Sequence, residues 1–146
     1  MTNQLFPTFP VSPITAADNA PAPKFPRGYL FDCSKGEFVL DSGKTREADE
    51  TDTWIQWCIK AALTQRYAYL AYSRGYGAEL EEAMALGGSA AQSGLETTIR
   101  EALLADPHRR TAQVKDFEFS VAEDSTTVSF TVVSERGKAE RLNITI

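Results

Sequence analysis

At 146 residues, with 20 acidic side chains against 15 basic ones and a net charge of −5, the chain suits one domain and speaks against a nucleic-acid partner, which selects a basic face. No apolar run approaches the ~20 residues that cross a bilayer, and MTNQLFPTFP lacks a signal peptide's charged-then-apolar layout, so synthesis in the cytoplasm and no membrane partner are expected. Cys33 and Cys58 lack C-x-x-C or ligand spacing, so free thiols, and no metal or cofactor, are expected.

Residues 1–26 hold Pro7, Pro10, Pro13, Pro21, Pro23 and Pro26, six of the seven prolines. Proline fixes φ and lacks a donor, so this stretch sustains neither helix nor ladder. Leu5, Phe6, Phe9, Val11, Ile14 and Phe25 make it too apolar for a plain linker. The reading preferred over a floppy terminus is an extended arm that lays its Phe-Pro pairs, Phe6 and Phe9 foremost, along a partner or its own domain. A single domain is expected over 27–146.

Gly28 to Cys33 and Glu37 to Asp41 flank Ser34-Lys35-Gly36 and predict a β-hairpin. A polar loop is expected from Ser42 to Asp52, and then a helix starting near Thr51 to Thr53, capped by Asp52 or Thr53. That helix, through Leu63, is apolar on nearly every side, which predicts burial by its neighbours. It ends at Thr64-Gln65-Arg66, where Arg66 is placed to bond free helix-end carbonyls. Tyr67, Tyr69, Tyr72 and Tyr76 follow, a composition that suits an aromatic core strand or an interface.

Ala78 to Leu86 reads as a short helix ended by Gly87-Gly88. A longer one follows from Ser89 or Gly94 to Ala105, with Leu95, Ile99, Ala102 and Leu103 on one stripe. Asp106-Pro107 ends it. The last third alternates with period two: Phe117, Phe119, Val121; Val128, Phe130, Val132; Leu142, Ile144, Ile146. Turns at Glu123 to Ser125 and Glu135 to Lys138 make these an antiparallel sheet with one covered face. The fold class is α+β: two main helices on an antiparallel sheet formed largely by the C-terminal third, with an extended N-terminal arm.

The residues offer little to a catalytic reading. His108 stands among Arg109 and Arg110, Glu79, Glu81 and Glu82 look like a solvated face, and H-E-x-x-H, Gly-rich phosphate-loop and G-x-S-x-G motifs are missing. No enzyme is expected.

The order W-I-x-W-C-I-K-A-A-L-T-x-R-Y-x-Y-L-A-Y-S-x-x-Y-G-x-E-L, from Trp54 to Leu80, resembles the tail proteins of contractile phages and phage-like particles of Gram-positive hosts. These are relatives of the baseplate wedge protein that starts the sheath, a family with an old lysozyme-like label. The resemblance runs from about Leu5 to Val133 and implies a structural baseplate part whose partners are other wedge proteins, the sheath protein, and tube or hub proteins. It also implies a sheet completed by strands exchanged between subunits, which suits Leu142, Asn143, Ile144 and Thr145 on a last strand with a free edge. The family typically carries Glu-Pro-Arg after the long helix. Here Asp106 replaces the Glu and His108 stands at the Arg, so the acid–arginine contact passes to Arg109 or, one residue on, Arg110; Asp106 with Arg109 is the pair carried over. An exposed helix end with ordinary charges is the alternative. Arg66 and Tyr76 complete the candidate interaction residues. The competing function is a soluble tail-assembly adaptor or chaperone that binds one partner through the arm and the tyrosine cluster.

Overall fold

The computed structural model describes residues 24–146. The chain opens with paired two-residue strands: β1 (Gly28–Tyr29), β2 (Phe31–Asp32), β3 (Glu37–Phe38), β4 (Leu40–Asp41), β5 (Lys44–Thr45) and β6 (Glu47–Ala48). β2 pairs β3 as the hairpin spacing predicts. The stretch expected to be a polar loop instead supplies two strands, β5 against β4 and β6 against β1. Three backbone bonds of 2.9 Å close a cycle at their junction: Leu30 N–H to Arg46 carbonyl, Arg46 N–H to Val39 carbonyl, Val39 N–H to Leu30 carbonyl. Backbone pairing rather than apolar patterning holds these polar strands, which is why alternation did not reveal them.

Helix α1 (Glu50–Leu63) begins one to three residues earlier than the Thr51 to Thr53 start its sequence cues suggest. Asp49, rather than Asp52 or Thr53, is the cap, and its carboxylate accepts the Asp52 amide at 2.8 Å. Trp54, Cys58, Ala61 and Ala62 form its buried face, whereas Ile55, Trp57 and Ile59 are half-buried and Leu63 is exposed. The expectation of all-round burial therefore fails on one side. α2 (Leu80–Ala85) and α3 (Gly88–Leu104) follow, joined through Leu86 and Gly87; Gly87 and the first residue of α3, Gly88, both take the positive φ that glycine tolerates. Their close approach needs Gly94, where a Cβ would lie 3.2 Å from that of Ala83.

Strands β7 (Thr111–Val121), β8 (Thr126–Ser134) and β9 (Ala139–Thr145) form one antiparallel sheet in that spatial order. α3 lies over β7 and α1 over β9, all on one face. Between the layers sit Trp54, Cys58, Leu95, Ile99, Leu103, Val128, Phe130, Val132, Leu142 and Ile144. The expected two-helix, one-sheet layering is thus present. β7 is irregular: its register shifts between Thr111 and Gln113 and again between Lys115 and Glu118, where Asp116 takes φ +55°. On the solvent face Arg141 spans β8 to bond the Asp116 carbonyl (3.0 Å) and Glu118 (2.7 Å).

Candidate functional site

The link from α3 to β7 is a buried ion pair. Asp106 and Arg110 expose 0% and 2% of their side chains, and the guanidinium bonds both carboxylate oxygens, at 2.7 and 3.1 Å. The amides of His108 and Arg110 also donate to the carboxylate, each at 3.1 Å. Burial pushes the Asp106 carboxyl up, but the Arg110 side-chain and backbone bonds and the His108 amide hold it below the ordinary carboxylate value. Arg109, the partner carried over from the sequence, is exposed at φ +51°. That left-handed step, with the Arg109 amide on the Asp106 carbonyl (2.9 Å), brings Arg110 back to the acid. The junction is therefore no exposed helix end.

The pair ties several elements together. Its arginine stands 5.4 Å over the Trp57 ring of α1, and the Arg110 carbonyl accepts the Glu135 amide from the β8–β9 turn. Next along the chain, the Thr111 hydroxyl accepts the Trp54 indole N–H at 2.9 Å. With every Asp106 and Arg110 bond directed inward, the pair braces the fold and is not arranged to exchange protons with a substrate.

Residues 64–79 form a loop pinched at its base, not a core strand. Gln65 bridges Ala78 in parallel, and Arg66 and Ala78 bond each other's stretch through the Arg66 amide to Ala78 (3.0 Å) and the Ala78 amide to Thr64 (2.9 Å). Arg66 serves this base rather than the free carbonyls of α1: its Nε donates to the Gly77 carbonyl (3.0 Å), and its Nη1 meets Glu79 (3.3 Å) and Glu101 (3.7 Å). Gln65 holds Glu82 at 2.8 Å, so two of the clustered glutamates are committed to structural contacts. Gly77 has φ +98°, and a Cβ there would lie 2.6 Å from the Thr64 carbonyl oxygen. Compact loops with joined ends are frequent carriers of function.

Beyond the clamp the tip projects outward. Tyr67, Tyr69 and Leu70 are 68, 60 and 107% exposed. A chain of rings runs from α1 to the tip: Trp57 to Tyr76 at 6.1 Å, Tyr76 to Tyr72 at 4.5 Å, Tyr72 to Tyr69 at 6.0 Å. Lys60 lies 5.3 Å over Tyr72. Tyr76, half-buried, is the inner end of this ladder, and burial raises its pKa.

β9 is an edge of the sheet among the described residues. Thr126 and Ile146 exchange both backbone bonds, at 3.1 and 2.9 Å. Alternation along an antiparallel pair then directs Ile144, Leu142 and Glu140 at β8 and the amides of Asn143 and Thr145 away from it. Leu142 and Ile144 are buried at 6 and 2%, so side chains serve the core while the backbone of the intervening residues faces outward. Phe6 and Phe9 lie outside the described residues.

The profile of one protein family, the contractile injection system sheath initiator, matches residues 27–137. The chain belongs to that family. As a sheath initiator it is a structural component of a phage-type tail baseplate. The match contains the acid–arginine junction, the pinched loop and the whole helical layer, and stops before β9. Comparison with curated proteins returns no match. Sequence reasoning on this initiator named both Arg109 and Arg110 but carried over Arg109, whereas Arg110 is the paired base. It missed the apolar surface formed by Phe31, Phe38 and Leu63, for which the hairpin's exposed aromatics were the only cue.

Proposed function

We propose that the chain joins wedge and tube in the baseplate and starts the sheath by pairing the outer edge of β9 with a strand of the first sheath subunit. The observation that supports this reading is the division of labour in β9: Leu142 and Ile144 hold the strand to its own core, leaving the outward Asn143 and Thr145 backbone to recruit another chain. Backbone pairing supplies affinity to any extended partner, and the register supplies alignment. The baseplate's other wedge proteins and its tube or hub proteins are the remaining partners in this reading.

Proline at position 143 or 145 removes one outward donor without touching the apolar face. Asn143→Pro and Thr145→Pro are expected to leave the thermal unfolding of the isolated protein near that of wild type while yielding tails without polymerised sheath. Normal contractile tails from both variants would overturn the edge-pairing reading. The exposed tyrosine tip supports a second reading, an assembly adaptor. Purified tails separate the two, because a baseplate part stays at fixed copy number and an adaptor is lost.

A further inference from the structure

An apolar groove of about 490 Å³ lies between the first hairpin and the last two turns of α1. Phe31 and Phe38, edge to face at 5.2 Å, form one wall, Trp57, Ile59 and Leu63 the other, and Cys33 stands at its rim. Phe38, Leu63 and Phe31 are 53, 44 and 37% exposed, which is apolar surface in need of cover. Lys60 is the one charged residue of the lining.

The sequence contains a segment of matching chemistry. Leu5-Phe6-Pro7, Thr8-Phe9-Pro10 and Val11-Ser12-Pro13 are three successive triplets ending in proline, without a charged side chain. Proline fixes its own φ and drives the residue before it to extended geometry, so six of these nine positions favour a polyproline II helix. At three residues per turn, Phe6 and Phe9 fall on one face about 9 Å apart. From Gln56 to Leu63 the groove's helical wall rises about 10 Å. Aromatic-lined grooves take such preformed segments because little ordering entropy is lost.

Reach is sufficient. Phe25 is buried beneath Arg136, which also contacts Glu50 at the start of α1, and Lys24 contacts Glu135, so the segment's C-terminal tether is fixed beside that helix. The eleven residue steps from Pro13 to Lys24 extend about 34 Å as polyproline II, against about 21 Å for all of α1.

We propose that residues 5–13 dock in the groove of their own chain, with Phe6 and Phe9 against Trp57, Leu63 and the hairpin phenylalanines. Cys33 reports on this directly, since Cys58 is buried and its thiol is pushed up to about 12. In the native full chain, the rate at which Cys33 reacts with an aromatic disulfide reagent is compared with that of a Phe6→Ser, Phe9→Ser variant, whose changes lie outside the described residues. The expected result is a several-fold faster reaction in the variant, and a wild-type protection that does not change on dilution. Equal rates in the two proteins would overturn the proposal and leave the groove to another baseplate protein. Protection that fades on dilution would also overturn it, by assigning the groove to the arm of a second copy.

Discussion

Protonating Asp106 would leave the Arg110 guanidinium buried without its counter-charge. The folded-state carboxyl lies below its ordinary value, so the unfolded chain holds the proton more tightly. The pair's contribution is complete above about pH 4, the ordinary aspartate value, and is lost as pH falls through the folded-state value. The urea midpoint should therefore drop below that pH, with a flatter acid limb in Asp106→Asn. Arg110→Ala should cost about 3–5 kcal/mol, as expected when one partner of a buried pair is removed. Arg109→Ala should stay within about 0.5 kcal/mol, the scale of a surface change; the reverse order in denaturant titrations would reject the assignment. Asp106 itself was legible in the sequence as an acid after the long helix. Which of two adjacent arginines met it was not, because the choice rests on a single left-handed residue, Arg109, of a type that gives no warning of it.

Helix α1 carries the core through one face, and its two tryptophans differ accordingly. Trp54 is 1% exposed and hydrogen-bonded to Thr111, so Trp54→Ala should cost about 3–5 kcal/mol. Trp57 borders the groove, and its replacement should cost clearly less by the same denaturation measurement. Equal costs would mean that the outer face of α1 is as well packed as the inner. In the pinched loop, Gly77→Ala forces a Cβ onto the Thr64 carbonyl. It should destabilise the fold by more than the about 0.4–1 kcal/mol that an unstrained Gly-to-Ala change gains, read as a lower melting temperature, and open the Tyr67–Arg74 tip to protease. Periodicity revealed the helices, β8 and β9 because each buries one regular face. In β7 the alternation holds only for half-buried Phe117 and Phe119, and Val121, expected on the covered face, is 71% exposed. Periodicity misjudged the tyrosines because an amphipathic ring suits a core edge and a projecting loop equally; the Arg66 clamp that decides between them is made by residues distant in sequence.

At the scale of the whole molecule, two of the three glutamates that an enzymatic reading would recruit, Glu79 and Glu82, are engaged by Arg66 and Gln65. Pure protein is expected not to clear a peptidoglycan suspension, and clearing that a Glu79→Gln or Glu82→Gln change abolished would contradict the structural role. The sheet's two margins are unlike. One carries the displaced register and the left-handed Asp116 of β7, strapped from behind by Arg141; the other is the regular β9. Irregular margins resist accretion of further strands. Among the described residues, the three-stranded sheet thus has one regular margin, and in the edge-pairing reading proposed above two copies would meet through it only as a closed dimer. Under that proposal a domain with one regular margin would act as a primer, beginning a polymer of another subunit without becoming one.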